Sequence, residues 1–179
     1  MPKIKQLTSK QVYQNKWMTV REDIIERPSG AKGIYGVVDK PDFVVIAAVE
    51  DDCIHLVQQY RYPVEKRFWE MPQGTWESTE EVDSLTLAKG ELQEETGLTA
   101  TNMLHVAQQY VAYGFCSQAY HVYLATGLTA GENKLDPEEE DLITQKFTLN
   151  EFEQMILNGQ IKDATTVNAY GLIKMKQLL

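Results

Sequence analysis

The sequence predicts an α/β fold, a mixed β-sheet between helical layers with an N-terminal β-hairpin extension in front of it. Three observations carry this expectation. Short β-type segments occupy the first part of the chain and helix signals follow in the middle and dominate the tail, an order that suits a sheet packed between helices. The run Phe43-Val44-Val45-Ile46-Ala47-Ala48-Val49 is apolar throughout, as in a strand covered on both faces. The 179 residues, 43% of them hydrophobic, are enough for one full core and too few for two.

Taken in order, Val12 to Glu26 and Ile34 to Val38 read as strands around a Pro28-Ser29-Gly30 turn, which makes the N-terminal hairpin. The apolar strand from Phe43 follows, then Asp51-Asp52 as a turn and Ile54 to Tyr60 as its antiparallel partner. Asp83 or Ser84 can cap a helix that Gly97, suited to a left-handed position, ends. Leu104 to Ala112, Ala119 to Ala125 and Leu142 to Phe147 read as further strands, with an acidic loop at residues 135 to 141 before the last. Asn150 can cap a helix running to Leu157 that Gly159 stops, and Asp163 can cap a final helix to Leu178. No repeat, low-complexity stretch or linker divides the chain. The expected organisation is an N-terminal β extension over residues 1–38 and a main domain over 39–179.

A formal net charge of -9 argues against a nucleic-acid backbone as partner, because that binding relies on Lys and Arg neutralising phosphates. It leaves room for a small phosphorylated ligand, since a cation held by carboxylates would invert the local sign. The longest apolar runs are far too short to span a bilayer, and the start MPKIKQLTSKQ lacks the apolar core of a secretory signal. The expectation is a soluble, cytoplasmic protein with no membrane partner. Cys53 and Cys116 show no C-x-x-C spacing and read as small hydrophobes, and His55 and His121 alternate with apolar neighbours as sheet residues.

The chemistry concentrates in Gly90-Glu91-Leu92-Gln93-Glu94-Glu95-Thr96-Gly97-Leu98. Residues three and four apart are neighbours on a helix, so Glu91, Glu94 and Glu95 share a face, where like charges repel unless a cation sits among them. The blander reading is a solvated amphipathic helix with Leu85, Ala88 and Leu92 as its buried stripe. Favouring the functional reading, the whole segment from Gly74 to Leu98 resembles the Nudix box, G-x5-E-x7-R-E-U-x-E-E-x-G-U. Gly74 and Glu80 keep the front spacing, and Glu91, Leu92, Glu94, Glu95, Gly97 and Leu98 keep the back spacing. Between them, residues 81 to 89 are nine where the pattern has seven, and Gly90 stands where it has arginine. Lys89 points about 100° away around the helix and is a poor substitute.

This resemblance implies the α/β/α sandwich of Nudix hydrolases and their chemistry, the splitting of a nucleoside diphosphate linked to another group. It further implies Mg2+, with Mn2+ as the alternative, held by Glu91, Glu95, Glu80 and the carbonyl of Gln73, with Glu94 beside them in a catalytic role. The string Gln58-Gln59-Tyr60-Arg61-Tyr62-Pro63 is similar to a segment of the ADP-ribose pyrophosphatase branch, which implies that Arg61 contacts substrate phosphate through its bidentate fork. In the same branch Glu70 touches the nucleoside or its ribose. A glutamate on the acidic loop serves as general base, here Glu138 first and Glu140 second. Trp17, on an extension shared with a partner subunit, stacks on the base, which implies a homodimer.

The resulting expectation is a pyrophosphohydrolase of nucleoside diphosphate sugars of the ADP-ribose type. Two alternatives stand beside it: hydrolysis of nucleoside triphosphates or dinucleoside polyphosphates, and a domain that binds a nucleotide sugar without turnover. Tyr113-Gly114-Phe115-Cys116-Ser117 lacks a proline common in the branch, so other sugars remain open.

Overall fold

A computed structural model describes residues 3–75, 82–132, 135 and 140–179. The chain divides into two compact units: residues 1–42 with 109–120, and residues 43–108 with 121–179.

The first unit is built on a three-stranded antiparallel sheet in which β1 (Lys5–Gln14) pairs with β2 (Thr19–Glu26) and β2 pairs with β3 (Lys32–Asp39). The expected hairpin is the β2–β3 pair, closed by Gly30 at φ 82°, and β1 widens it to three strands. Its register runs from Thr19 opposite Asp39 to Glu26 opposite Lys32. Residues 109–120 join the unit through a parallel bridge between Val38 and Cys116, the Val38 N–H donating to the Phe115 carbonyl at 2.8 Å. Arg21 donates to Asp39 at 2.8 Å and also pairs with Asp23, and this guanidinium holds the Asp39 carboxyl below its ordinary range.

In the second unit the sheet contains β4 (Phe43–Glu50), β5 (Cys53–Arg61), β6 (Lys66–Glu70), β7 (Gln73–Gly74), β8 (Leu98–Tyr110), β9 (Ala119–Ala130) and β10 (Ile143–Thr148). Its order is β10-β5-β4-β9-β8, with β6 on β5 and the short β7 on β4. The expected apolar strand is central β4, buried at every position from Val44 to Val49. Asp51 and Asp52, both at positive φ, make the tight turn into antiparallel β5. Val44, Ile46 and Ala48 pack on one face with Leu87, Ala88 and Leu92 of α1 (Ser84–Thr96). Because side chains alternate along a strand, Val45, Ala47 and Val49 face the other way and need cover there as well.

Helix ends follow side-chain chemistry. Asp83 caps α1 by accepting from the Leu85 and Thr86 N–H groups, and Gly97 at φ 70° ends it, as expected. The helix runs unbroken through Gly90. Its buried side corrects the predicted stripe: Leu85 is 36% exposed, whereas Leu87, Ala88, Glu91, Leu92 and Glu95 are buried. Ala88 and Leu92 of the expected stripe are buried; the face is turned away from Leu85 because Leu87 and two glutamates share it. For α2 (Leu149–Leu157) the cap is Thr148 in a capping box with Glu151, in place of Asn150, because Thr148 and Glu151 can satisfy each other's backbone N–H groups. Asp163 caps α3 (Ala164–Met175), which stops three residues before the expected end.

The cap at α1 makes a pH prediction. The Thr86 hydroxyl, then the Thr86 and Leu85 N–H groups, hold the Asp83 carboxyl below its ordinary 3.8. Its contribution is therefore complete above that value and is lost as pH falls through the lowered one. The difference in Tm between native protein and Asp83→Ala is expected to be constant from pH 7 to 5 and to shrink below pH 4; a pH-independent difference would refute the cap's charge as its cause.

Candidate active site

The site is assembled around the short strand β7. Glu91 and Glu95 sit one turn apart on the side of α1 that faces the protein interior, 5% and 0% exposed. Glu95 Oε2 accepts the Gln73 N–H at 3.0 Å. The Glu91 carboxylate lies against Gly74 so closely that a Cβ on that glycine would stand 2.7 Å from Glu91 Cδ and 2.9 Å from Oε1, and closer still to Oε2. Any side chain at position 74 would force the Glu91 carboxylate to shift. Two buried carboxylates thus meet two consecutive backbone units, and the reading of Glu91 and Glu95 as solvated surface charges is excluded. Glu94, on the flank of the helix, is half-buried.

Two acids buried side by side are costly unless positive charge or hydrogen bonds accompany them. Among the described residues no three His, Cys, Asp or Glu side chains form a complete metal cluster. The donors present are carboxylate and carbonyl oxygens, a set that suits a hard cation using few protein ligands and keeping water or phosphate in its other positions. Mg2+ fits that description.

A second group adjoins Gln73. Arg61, at the end of β5, forms an ion pair with Glu70 on β6, and Glu70 Oε1 also accepts from Gln59 Nε2 at 3.3 Å. Register explains the meeting: Gln59 and Arg61 lie on the same side of β5, beside the β6 strand that ends in Glu70. Burial raises the Glu70 pKa, and Arg61 opposes that shift. At 3% exposure Glu70 serves as the holder of Arg61, whose half-exposed guanidinium keeps further N–H donors. The opposite face of β6 carries Trp69, edge-on to Phe147 at 4.9 Å.

The remaining expected residues fall elsewhere. Trp17 belongs to the first unit, in the β1–β2 turn, 45% exposed with Lys16 Nζ 4.3 Å from its ring centroid. Glu140 is exposed, while Glu80 and Glu138 lie outside the described residues. At the end of the acidic loop Asp141 pairs with Arg67 of β6, which also donates to the Asp141 carbonyl at 2.6 Å and to the Gln58 carbonyl at 2.9 Å. Sequence reasoning missed Gln59, Arg67 and the first turn of α3, whose Asp163 was legible only as a helix cap.

Residues 4–38 match the model of the nucleoside diphosphate sugar hydrolase N-terminal domain, and residues 40–169 match that of the NUDIX domain. The chain is 29% identical to an ADP-ribose pyrophosphatase of Bacillus subtilis (strain 168) and 31% identical to a methanol dehydrogenase activator of Bacillus methanolicus, each over 98% of this chain and 95% of the relative. It is 31% identical to an ADP-ribose pyrophosphatase of Mycobacterium tuberculosis (strain ATCC 25618 / H37Rv), over 90% of this chain and 78% of the relative. A crystal structure of an ADP compounds hydrolase superposes with a TM-score of 0.83 at 22% identity, covering 97% of this chain and 92% of that one, which supports the fold.

Proposed function

We propose that this chain, which belongs to the NUDIX family and is a pyrophosphohydrolase of its ADP-ribose pyrophosphatase branch, is a Mg2+-dependent enzyme that splits a nucleoside diphosphate sugar of the ADP-ribose type into a nucleoside monophosphate and a sugar phosphate. The observation that carries the cation is the pair of buried carboxylates, Glu91 and Glu95, seated on the Gln73–Gly74 backbone.

Glu91, Glu95 and the Gln73 carbonyl would hold the ion, which when bound would neutralise phosphoryl oxygens and acidify a water. Arg61, kept in place by Glu70, offers its free N–H donors to the pyrophosphate. Burying Glu70 confines one edge of the guanidinium and so lowers the entropy lost when phosphate arrives. In the reaction a water oxygen bonds to phosphorus while the bridging anhydride bond breaks. The water's proton passes to a carboxylate, which we assign to Glu138 or, second, Glu140 of the acidic loop, with Glu94 near the ion as a further acid. Sequence similarity to the branch supports these last assignments.

The first unit serves as a dimerisation element. Every residue of β1 is exposed, including Leu7, Val12 and Tyr13, and Ile34 and Trp17 add to the apolar surface. Apolar area of this kind marks an interaction surface. A homodimer in which Trp17 reaches the partner's substrate is the arrangement we favour; a monomer by light scattering at micromolar concentration would remove it. Among the described residues no helix is long and apolar enough to cross a membrane.

Hydrolysis of ADP-ribose, GDP-mannose, UDP-glucose, a nucleoside triphosphate and a dinucleoside polyphosphate, each with Mg2+, with Mn2+ and with EDTA, tests the reading. Preference for a nucleotide sugar, abolished by EDTA, is the expected result. Preference for the triphosphate or the dinucleotide would overturn the substrate class, and binding of a nucleotide sugar without turnover would overturn catalysis.

A further inference from the structure

The strap from Met71 to Gln73 is held residue by residue from three different elements. The Met71 N–H donates to Thr166 Oγ1 of α3 at 2.9 Å. The Pro72 carbonyl accepts from the Ile46 N–H of β4 at 2.9 Å. The Gln73 N–H donates to Glu95 of α1 at 3.0 Å. The Gln73 side chain adds a fourth restraint, donating from Nε2 to Asp163 Oδ2 at 3.2 Å. Thr165 Oγ1 stands 2.7 Å from Gln73 Oε1 and 2.5 Å from Asp163 Oδ2, so its single proton bridges two acceptors. Asp163 Oδ2 also caps α3 through the Thr166 N–H at 2.8 Å.

Capping alone requires neither threonine. Asp163 caps by itself, and two hydroxyls side by side at the start of a helix, Thr165 and Thr166 at 9% and 0% exposure, are poor choices for a buried face. Both point to the strap, more than 90 positions earlier in sequence for each hydrogen bond. Helix α3 is thereby tied to the same backbone segment that Glu95 of α1 holds.

We propose that the first turn of α3, through Asp163, Thr165 and Thr166, is a positioning element for the divalent cation, fixing the Gln73 backbone against Glu95. This rests on the reading that the site takes such a cation. The three residues touch no ligand themselves and act through Met71 and Gln73. Loss of one such outer partner of a metal site weakens binding by roughly 10- to 100-fold.

Thr166→Val keeps the side-chain shape and removes only the hydroxyl. Titration with Mn2+ in the absence of substrate, followed by electron paramagnetic resonance, is expected to give a dissociation constant about 10-fold higher than native. Thr166→Ser, which restores the hydroxyl, is expected to bind as the native protein does. Phe152→Leu, at a buried position of α2 edge-on to Tyr170, is expected to lower Tm while leaving the Mn2+ constant unchanged. Equal affinity in native and Thr166→Val would overturn the proposal and leave the cation reading intact. No Mn2+ binding by the native protein would overturn both. Should Thr166→Val fail to fold, Thr165→Val takes its place, with weaker Mn2+ binding expected and native affinity overturning the assignment.

Discussion

Replacing Glu95 by glutamine is expected to lower kcat by at least about 100-fold, more than the loss of an outer partner of a metal site produces. Glu95 is fully buried and takes the Gln73 N–H on one oxygen. A glutamine carbonyl can still accept that bond, so the local fold survives while the negative charge that attracts the cation is gone. The variant separates charge from structure in a second measurement. Without metal its Tm should equal or exceed the native value, because one of two neighbouring buried carboxylates has been neutralised. With the ion at 100 times its dissociation constant, the native protein should gain about 2.7 kcal/mol, and the variant far less. Native-like turnover, or an equal gain in Tm with Mg2+, would remove Glu95 from the site.

Adding a single methyl group at Gly74 is expected to reduce kcat/KM by about 10- to 100-fold, the scale on which loss of a supporting contact acts at metal sites. The new Cβ would lie within 3 Å of three atoms of the Glu91 carboxylate. Gly74 is held in β7 opposite Val44, so the adjustment falls on the buried Glu91 side chain. The carboxylate must therefore turn away from the position that serves the cation. Gly30, whose Cβ would meet nothing within 4 Å, provides a control that carries backbone cost without this collision. Gly74→Ala should weaken Mn2+ binding, whereas Gly30→Ala should lower stability alone. Unchanged Mn2+ affinity in Gly74→Ala would show that Glu91 has room the geometry denies it.

Several elements were legible in the chain because local chemistry alone decides them. The run from Phe43 to Val49 reads as a doubly covered strand and is one, and the Asp83 side chain and the left-handed Gly97 delimit α1. Gly74, Glu91 and Glu95 were singled out through motif spacing, and the two carboxylates lie buried against the Gln73–Gly74 backbone; Arg61 was singled out through a resembling string and pairs with the buried Glu70. Other features depended on partners distant in sequence. Thr148 displaced Asn150 as the cap of α2 because its reciprocal bonds with Glu151 outweigh a cap two residues later. On α1 the expected stripe held at Ala88 and Leu92 but not at Leu85, because hydrophobic counting scores the buried Glu91 and Glu95 as surface residues.

By itself, then, the sequence determined the α/β class, the family and the acidic helix, since strand patterning, capping and motif spacing are interactions between residues near in the chain. Tertiary structure alone decided which glutamates are buried, that Glu70 holds Arg61, and that α3 ties down the strap bearing Gln73. These are hydrogen bonds and close contacts between elements. Their energies depend on distances and desolvation that exist only once the sheet has brought the elements together.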